Sequence, residues 1–180
     1  CQAIDWDAKD ALMNQGSINC IWNGFTMEGR EDKYTFSEPY MLNEQVIVVK
    51  KGSGIGGYDG LAGRTVATQV DSAALEVLQS DRADLAATFG SLDQITDYNN
   101  AFAQLGSGLV DAVACDLSIA AYQTSANPDA FVMLDEPLSS EHYAVGFKLG
   151  DTERAEKVTQ ALKELAADGT AKEICERYAE

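Results

Sequence analysis

A chain of 180 residues, 46% hydrophobic and 23% charged, has the composition of a globular protein with a real core, in one domain or two small lobes. Its 29 acidic against 13 basic residues leave a formal net charge of −16, a field that repels phosphate backbones and anionic lipid heads and so excludes nucleic acid as a partner. No apolar run approaches the roughly 18 residues a membrane-spanning helix needs.

Along the chain, residues 2–4 read as the end of a strand. Asp5-Trp6-Asp7 then supplies a cap for a helix over 8–15, with Ala8, Ala11, Leu12 and Gln15 on one side and Gly16 just past its end. Residues 18–22 form a short apolar run with the length and bounding of a strand buried on both faces. Asn23-Gly24 breaks that strand and turns the backbone. Thr26 follows with a hydroxyl that donates and accepts, then Arg30 with a planar fork that suits a carboxylate. Strand end, glycine, hydroxyl and arginine in that order can build a small anion site at a sheet's carboxyl edge. The spacing equally allows Arg30 to pair on the surface with Glu28, Glu31 or Asp32.

Further on, the β-branched run 45–49 predicts a strand, and the glycine-rich stretch 50–60 a flexible surface loop. A short strand over 65–68 precedes a helix opened by Ser72, with Asp71 as its N-cap. Asp97-Tyr98-Asn99 caps a helix to about Leu105. Residues 110–114 then form a buried strand that ends at Asp116, and 118–123 a short helix. The stretch INCIWNG after its helix and glycine is like VDAVACD after its own, so the alternation predicts two similar parallel-sheet lobes of βαβ type. Residues 131–134 and 143–147 are strand-like. Residues 152–167 carry the clearest helical stripe, Ala155, Val158, Ala161, Leu162 and Leu165, and a last helix runs over 171–178.

Four cysteines, Cys1, Cys20, Cys115 and Cys175, include no CxxC pair, and His142 is the sole histidine, which argues against a zinc site or any other metal. Cys20 and Cys115, in apolar runs, are expected as small buried hydrophobes. A bridge between any two of the four is left open by their spacing.

Three different stretches stand out in order along the chain: Cys20 to Tyr40 with its Gly24-Phe25-Thr26, Arg30 and Phe36-Ser37-Glu38-Pro39-Tyr40; Leu61-Ala62-Gly63-Arg64-Thr65-Val66-Ala67; and Ala167-Asp168-Gly169-Thr170 through Ile174 to Tyr178. In content and order they resemble the extracellular amino-acid-binding proteins of ABC importers, solute-binding protein family 3, over essentially the whole chain. The resemblance implies an α/β, two-lobed, periplasmic-binding-protein-like (type II) fold with a hinge. Lobe 1 would be residues 1–47 plus 143–180, truncated at its N-terminus by a strand–helix piece, and lobe 2 residues 48–142. An incomplete lobe 1 would leave unpaired edges, which a second copy could cover as a homodimer.

The same resemblance implies that a polar amino acid binds in the inter-lobe cleft for delivery to the membrane permease of an ABC importer, with no cofactor and no chemistry of the protein's own. Arg30 would clamp the carboxylate, helped by Thr26 and by the Ser72 and Ala73 N–H groups. Asp116 would take the ammonium with a share from the Gly24 carbonyl, Trp6 would meet the side chain, and Asn23 and Gln69 would line the cleft. Asp71 departs from the pattern, because the family commonly has glycine there, and Ala73 replaces a threonine. The location implied is extracytoplasmic, with lipoprotein anchoring in the full-length protein, although structured-looking sequence directly after Cys1 argues against that residue as the anchor. A receptor's sensor domain would use the same cleft. A dehydratase-like enzyme would need an acid or base there, for which His142 beside Glu141 is the tempting pair.

Overall fold

The computed structural model describes residues 1–178. The chain forms two compact units: Cys1–Lys9 with Asn43–Glu141, and Asp10–Leu42 with the residues from His142 onward. The division differs from 1–47 plus 143–180 against 48–142 chiefly in the first nine residues. These join the larger unit, where Trp6 and Lys9 bond to Asp71.

The larger unit is built on a six-stranded sheet. Its strands are β2 (Met41–Lys50), β3 (Thr65–Gln69), β4 (Ser91–Ile95), β5 (Ala112–Asp116), β6 (Phe131–Met133) and β7 (Ser139–Tyr143), in the order β4-β3-β5-β2-β6 with β7 also on β2. β3 runs parallel to β4 and β5, while β2 runs antiparallel to β5 and β6. The apolar runs of β2 and β5 are continuous because both faces are covered. Val46, Val48, Val113 and Cys115 face helices α4 (Tyr98–Ser107) and α5 (Leu117–Ala126) through Phe102, Leu105 and Ala120. Ile47, Val49, Ala112 and Ala114 face Leu61 and the Ala74 and Leu78 side of α2 (Ala73–Gln79). A four-residue helix, α3 (Ala83–Ala86), follows α2. The glycine-rich stretch 50–60 is a surface loop pinned by Ile55, which is buried with Leu61 in this second layer.

The smaller unit holds α1 (Lys9–Gln15) from Asp10 on, β1 (Tyr34–Phe36), β8 (Gly146–Lys148), α6 (Thr152–Ala167) and α7 (Thr170–Tyr178). β1 and β8 pair antiparallel, Tyr34 opposite Lys148 and Phe36 opposite Gly146. Phe25 packs with Tyr34, ring centroids 5.0 Å apart, and with Phe36 at 5.5 Å, while Val145, Phe147 and Ala155 form a buried cluster of their own with Cys20 and Val158 against it. Ser37 fastens the Phe36–Tyr40 motif: its main chain donates to Val145, and its buried hydroxyl accepts from the Val145 N–H at 3.0 Å.

Several expectations are corrected. Residues 2–4 form no strand, and 18–22 do not form one buried on both faces. Ile21 alone exchanges bonds with Gly146, at 2.8 and 3.0 Å, and Trp22 is 54% exposed, because polar Asn19 and Asn23 flank too short a run to build a ladder. The two units are therefore not alike, and neither is the expected parallel sheet: the larger holds a mixed sheet and the smaller an antiparallel pair. Around α1 the buried positions are Lys9 and Met13, one turn apart, and not the Ala8 side. Residues 143–147 split between β7 and β8. Helix α6 has the predicted bounds, but only Ala155 is buried, and Ala161 and Leu165 lie open. At α2 the N-cap is Ser72, whose hydroxyl accepts from Leu75 N–H at 3.2 Å; Asp71 precedes it with φ 55°. All four cysteines are free thiols, with Cys115 buried, Cys20 half-buried, and Cys1 and Cys175 exposed.

Candidate functional site

In the larger unit, β3 and β5 are parallel neighbours, so their carboxyl ends share one edge. That edge gathers Gln69, Ser72, Ala73 and Asp116, with Trp6 attached through Asp71. Ser72 caps α2, and its hydroxyl lies 3.2 Å from that of Thr68, which donates to the Ala114 carbonyl at 2.9 Å. Ala73 is buried directly behind it. Gln69 sits at the outer side, its amide donating to the Thr96 carbonyl at 3.0 Å. Trp6 Nε1 donates to the Asp71 carbonyl at 3.1 Å. Lys9 Nζ lies 5.1 Å from the centre of the Trp6 ring and 3.3 Å from Asp71 Oδ2, so a cation stands against the Asp71 carboxylate.

Asp116 ends β5 and starts α5, but its side chain does not cap that helix. It accepts at Oδ1 from Gln45 Nε2 at 2.7 Å and Asn43 Nδ2 at 3.1 Å. The same two nitrogens reach Glu141 Oε1, at 2.5 and 2.8 Å. Asn43, Gln45 and Glu141 are buried. Close by, burial pushes the Tyr98 hydroxyl and the Cys115 thiol well up, and the negative charge of Asp116 adds to both effects.

In the smaller unit, Gly24, Thr26 and Arg30 lie on the loop between residues 20 and 33, against Tyr143. Gly24 has φ 54°, a backbone that favours glycine, and a methyl group there would crowd the Tyr143 ring at 3.1 Å. Thr26 bridges to Tyr143, and the flanking bonds Ala144 N–H to Phe25 O and Met27 N–H to His142 O, both 3.0 Å, hold the loop in place. Arg30, only 3% exposed, packs its guanidinium 5.2 Å from the Phe25 ring centre and donates to the Thr26 carbonyl at 3.1 Å. Asn23 is exposed.

His142 does not pair with Glu141. Its ring nitrogen lies 2.7 Å from Glu28 Oε1, and its main-chain N–H donates to both Glu28 oxygens. Partial burial raises the Glu28 carboxyl, but these bonds outweigh it and hold the group below its ordinary 4.5. Glu141 instead faces the two amides, so the acid–base pair that an enzyme would use is not assembled. Among the described residues no group of three metal-binding side chains is placed around one point, and no helix is long and apolar enough to cross a membrane.

Sequence reasoning missed Asn43, Gln45, Lys9 and the role of Glu141. The available signal was Asn43 and Gln45, two amides on one face of a strand leading into four consecutive β-branched residues.

The profile of the bacterial extracellular solute-binding proteins, family 3, matches residues 1–180. A probable histidine-binding protein of Neisseria gonorrhoeae is 25% identical over 182 residues, covering 96% of this chain and 65% of its own length. A membrane-bound lytic murein transglycosylase F of Desulfosudis oleivorans is 28% identical over 179 residues, covering 96% of this chain but 38% of its own. Among solved structures, an ABC uptake transporter substrate binding protein from Streptococcus pneumoniae with bound histidine superposes with a TM-score of 0.93 at 31% identity, covering 99% of this chain and 75% of that one. The chain spans 60–65% of the length of the first curated relatives it matches.

Proposed function

The chain belongs to the bacterial extracellular solute-binding proteins, family 3, and on that footing we propose that it binds a polar amino acid for delivery to the membrane permease of an ABC importer. Arg30 takes the ligand carboxylate with the Thr26 hydroxyl beside it, Asp116 takes the ammonium, and Trp6 meets the side chain. The observation that carries this reading is Arg30. A guanidinium held under cover against an aromatic face is preorganised, so little side-chain entropy is lost when a carboxylate docks on its fork. The protein works outside the cytoplasm as a binding module without chemistry of its own. The separation of His142 from Glu141 supports that part of the reading, and the transglycosylase relative identifies the enzyme class to test against it.

A thermal-shift panel of the twenty amino acids tests the reading, because a ligand that binds only the folded state raises Tm by mass action. At least one polar amino acid should raise Tm. Arg30→Ala and Asp116→Ala should each abolish that shift, with affinity down by about a hundredfold, as loss of a charge-assisted contact predicts. Full binding by either folded variant would move the site elsewhere.

A further inference from the structure

We propose that Asn43 and Gln45 are positioning residues for the ligand's ammonium: together with Glu141 they hold the Asp116 carboxylate in one orientation. The proposal rests on the amino-acid reading above. Its geometry is closed. Asn43 Nδ2 and Gln45 Nε2 each reach both Asp116 Oδ1 and Glu141 Oε1, four contacts for the four hydrogens that two amide groups own. Both amides must present nitrogen here, because an amide oxygen facing two carboxylate oxygens would be repelled.

The remaining atoms show that this is no ordinary core contact. Gln45 is completely buried, and its own Oε1 has no hydrogen-bond partner among the described residues. A glutamine that served packing alone would satisfy both ends, and an apolar residue of similar volume would leave no orphan acceptor. The chain instead tolerates a buried, unpaired oxygen so that two N–H groups aim at the acids. A cost left standing in the native structure belongs with function more often than with stability.

With Oδ1 engaged by both amides, Asp116 cannot rotate without breaking two hydrogen bonds. An acceptor fixed in this way favours a group that brings several N–H donors and a positive charge, so the network selects for a primary ammonium over a hydrogen atom or hydroxyl at the same carbon. Glu141 adds a second carboxyl oxygen to the same amide pair.

The test measures a ratio of affinities and not an affinity alone. Gln45→Met and Asn43→Ala, each checked for a cooperative melt, are titrated with L-histidine and with 3-(imidazol-4-yl)propionate, which lacks the ammonium. L-arginine and 5-guanidinopentanoate serve where histidine gives no heat. Positioning predicts that the amino acid weakens by about tenfold or more in at least one folded variant, while the desamino analogue changes by about twofold or less. Equal weakening of both compounds would mean that the amides only stiffen the unit, and an unchanged ratio overturns the proposal alone. Where another amino acid gives the largest shift in the panel of twenty, it and its desamino analogue replace this pair; wild-type protein that binds none of the twenty overturns the amino-acid reading, and the proposal falls with it.

Discussion

Asp71 is the single non-glycine residue with a left-handed backbone among those described, at φ 55°. Such a conformation crowds Cβ against the main chain, a strain that aspartate bears better than most residues and that here coexists with the contact to Lys9. Asp71→Gly and Asp71→Ala lose the Lys9 contact equally, so their difference isolates the backbone term. The alanine variant should be less stable than the glycine variant by about 1 kcal/mol in urea unfolding. Equal midpoints would show that the loop relaxes around a methyl group. At this scale the sequence points to Arg30 and Asp116 by their positions after strand-like runs and by the resemblance, and the structure puts Arg30 under cover and Asp116 at the end of β5. Asn43 and Gln45 were opaque for a physical reason: on a strand they look like the solvated half of an alternating pattern, and only the fold shows that their face is buried.

Gly146 shows how one element holds another. A methyl group there would stand 2.6 Å from Phe25 Cε1, and Phe25 is fully buried between Tyr34 and Phe36, so the ring cannot yield. Gly146→Ala should therefore cost roughly 1–3 kcal/mol by overpacking. Because Phe25 also backs the Arg30 guanidinium, ligand affinity should fall in the protein that remains folded. An unchanged denaturation midpoint would mean the strand shifts to make room. Several element boundaries were readable from caps and glycines, although at α2 the cap is Ser72 and not the expected Asp71. Asp97 and Gly108 bracket α4, and Thr152 to Ala167 is matched from end to end. Reading failed where a tertiary partner decides. The apolar run 18–22 has strand composition but exchanges bonds with only one residue, and the second half of the α6 stripe is apolar yet uncovered, with Leu165 37% exposed.

In the larger unit β3, α2, α4 and β5 follow the expected βα alternation, while the strand β4 and the antiparallel placement of β2 were not anticipated; the smaller unit owes its shape to pairings far apart in the chain, such as β1 with β8, which no local pattern announces. One of its long-range contacts sets a pH dependence. Glu28 titrates below 4.5 when folded, so its bonds to His142 stabilise the protein fully above that value and are lost as pH falls through the folded midpoint. Comparing Tm for wild type and Glu28→Gln from pH 7 to pH 3 should show a gap that closes on the acid side. A gap independent of pH would assign the difference to packing. The discontinuity of the two units bears on how the protein is made. Residues 43–141 emerge as one uninterrupted stretch and can settle while synthesis continues. The partner segments of the other unit are separated by that entire body, so β1 waits for β8 until the whole of that body has been synthesised, and until then its apolar aromatics depend on whatever shelters a nascent polypeptide.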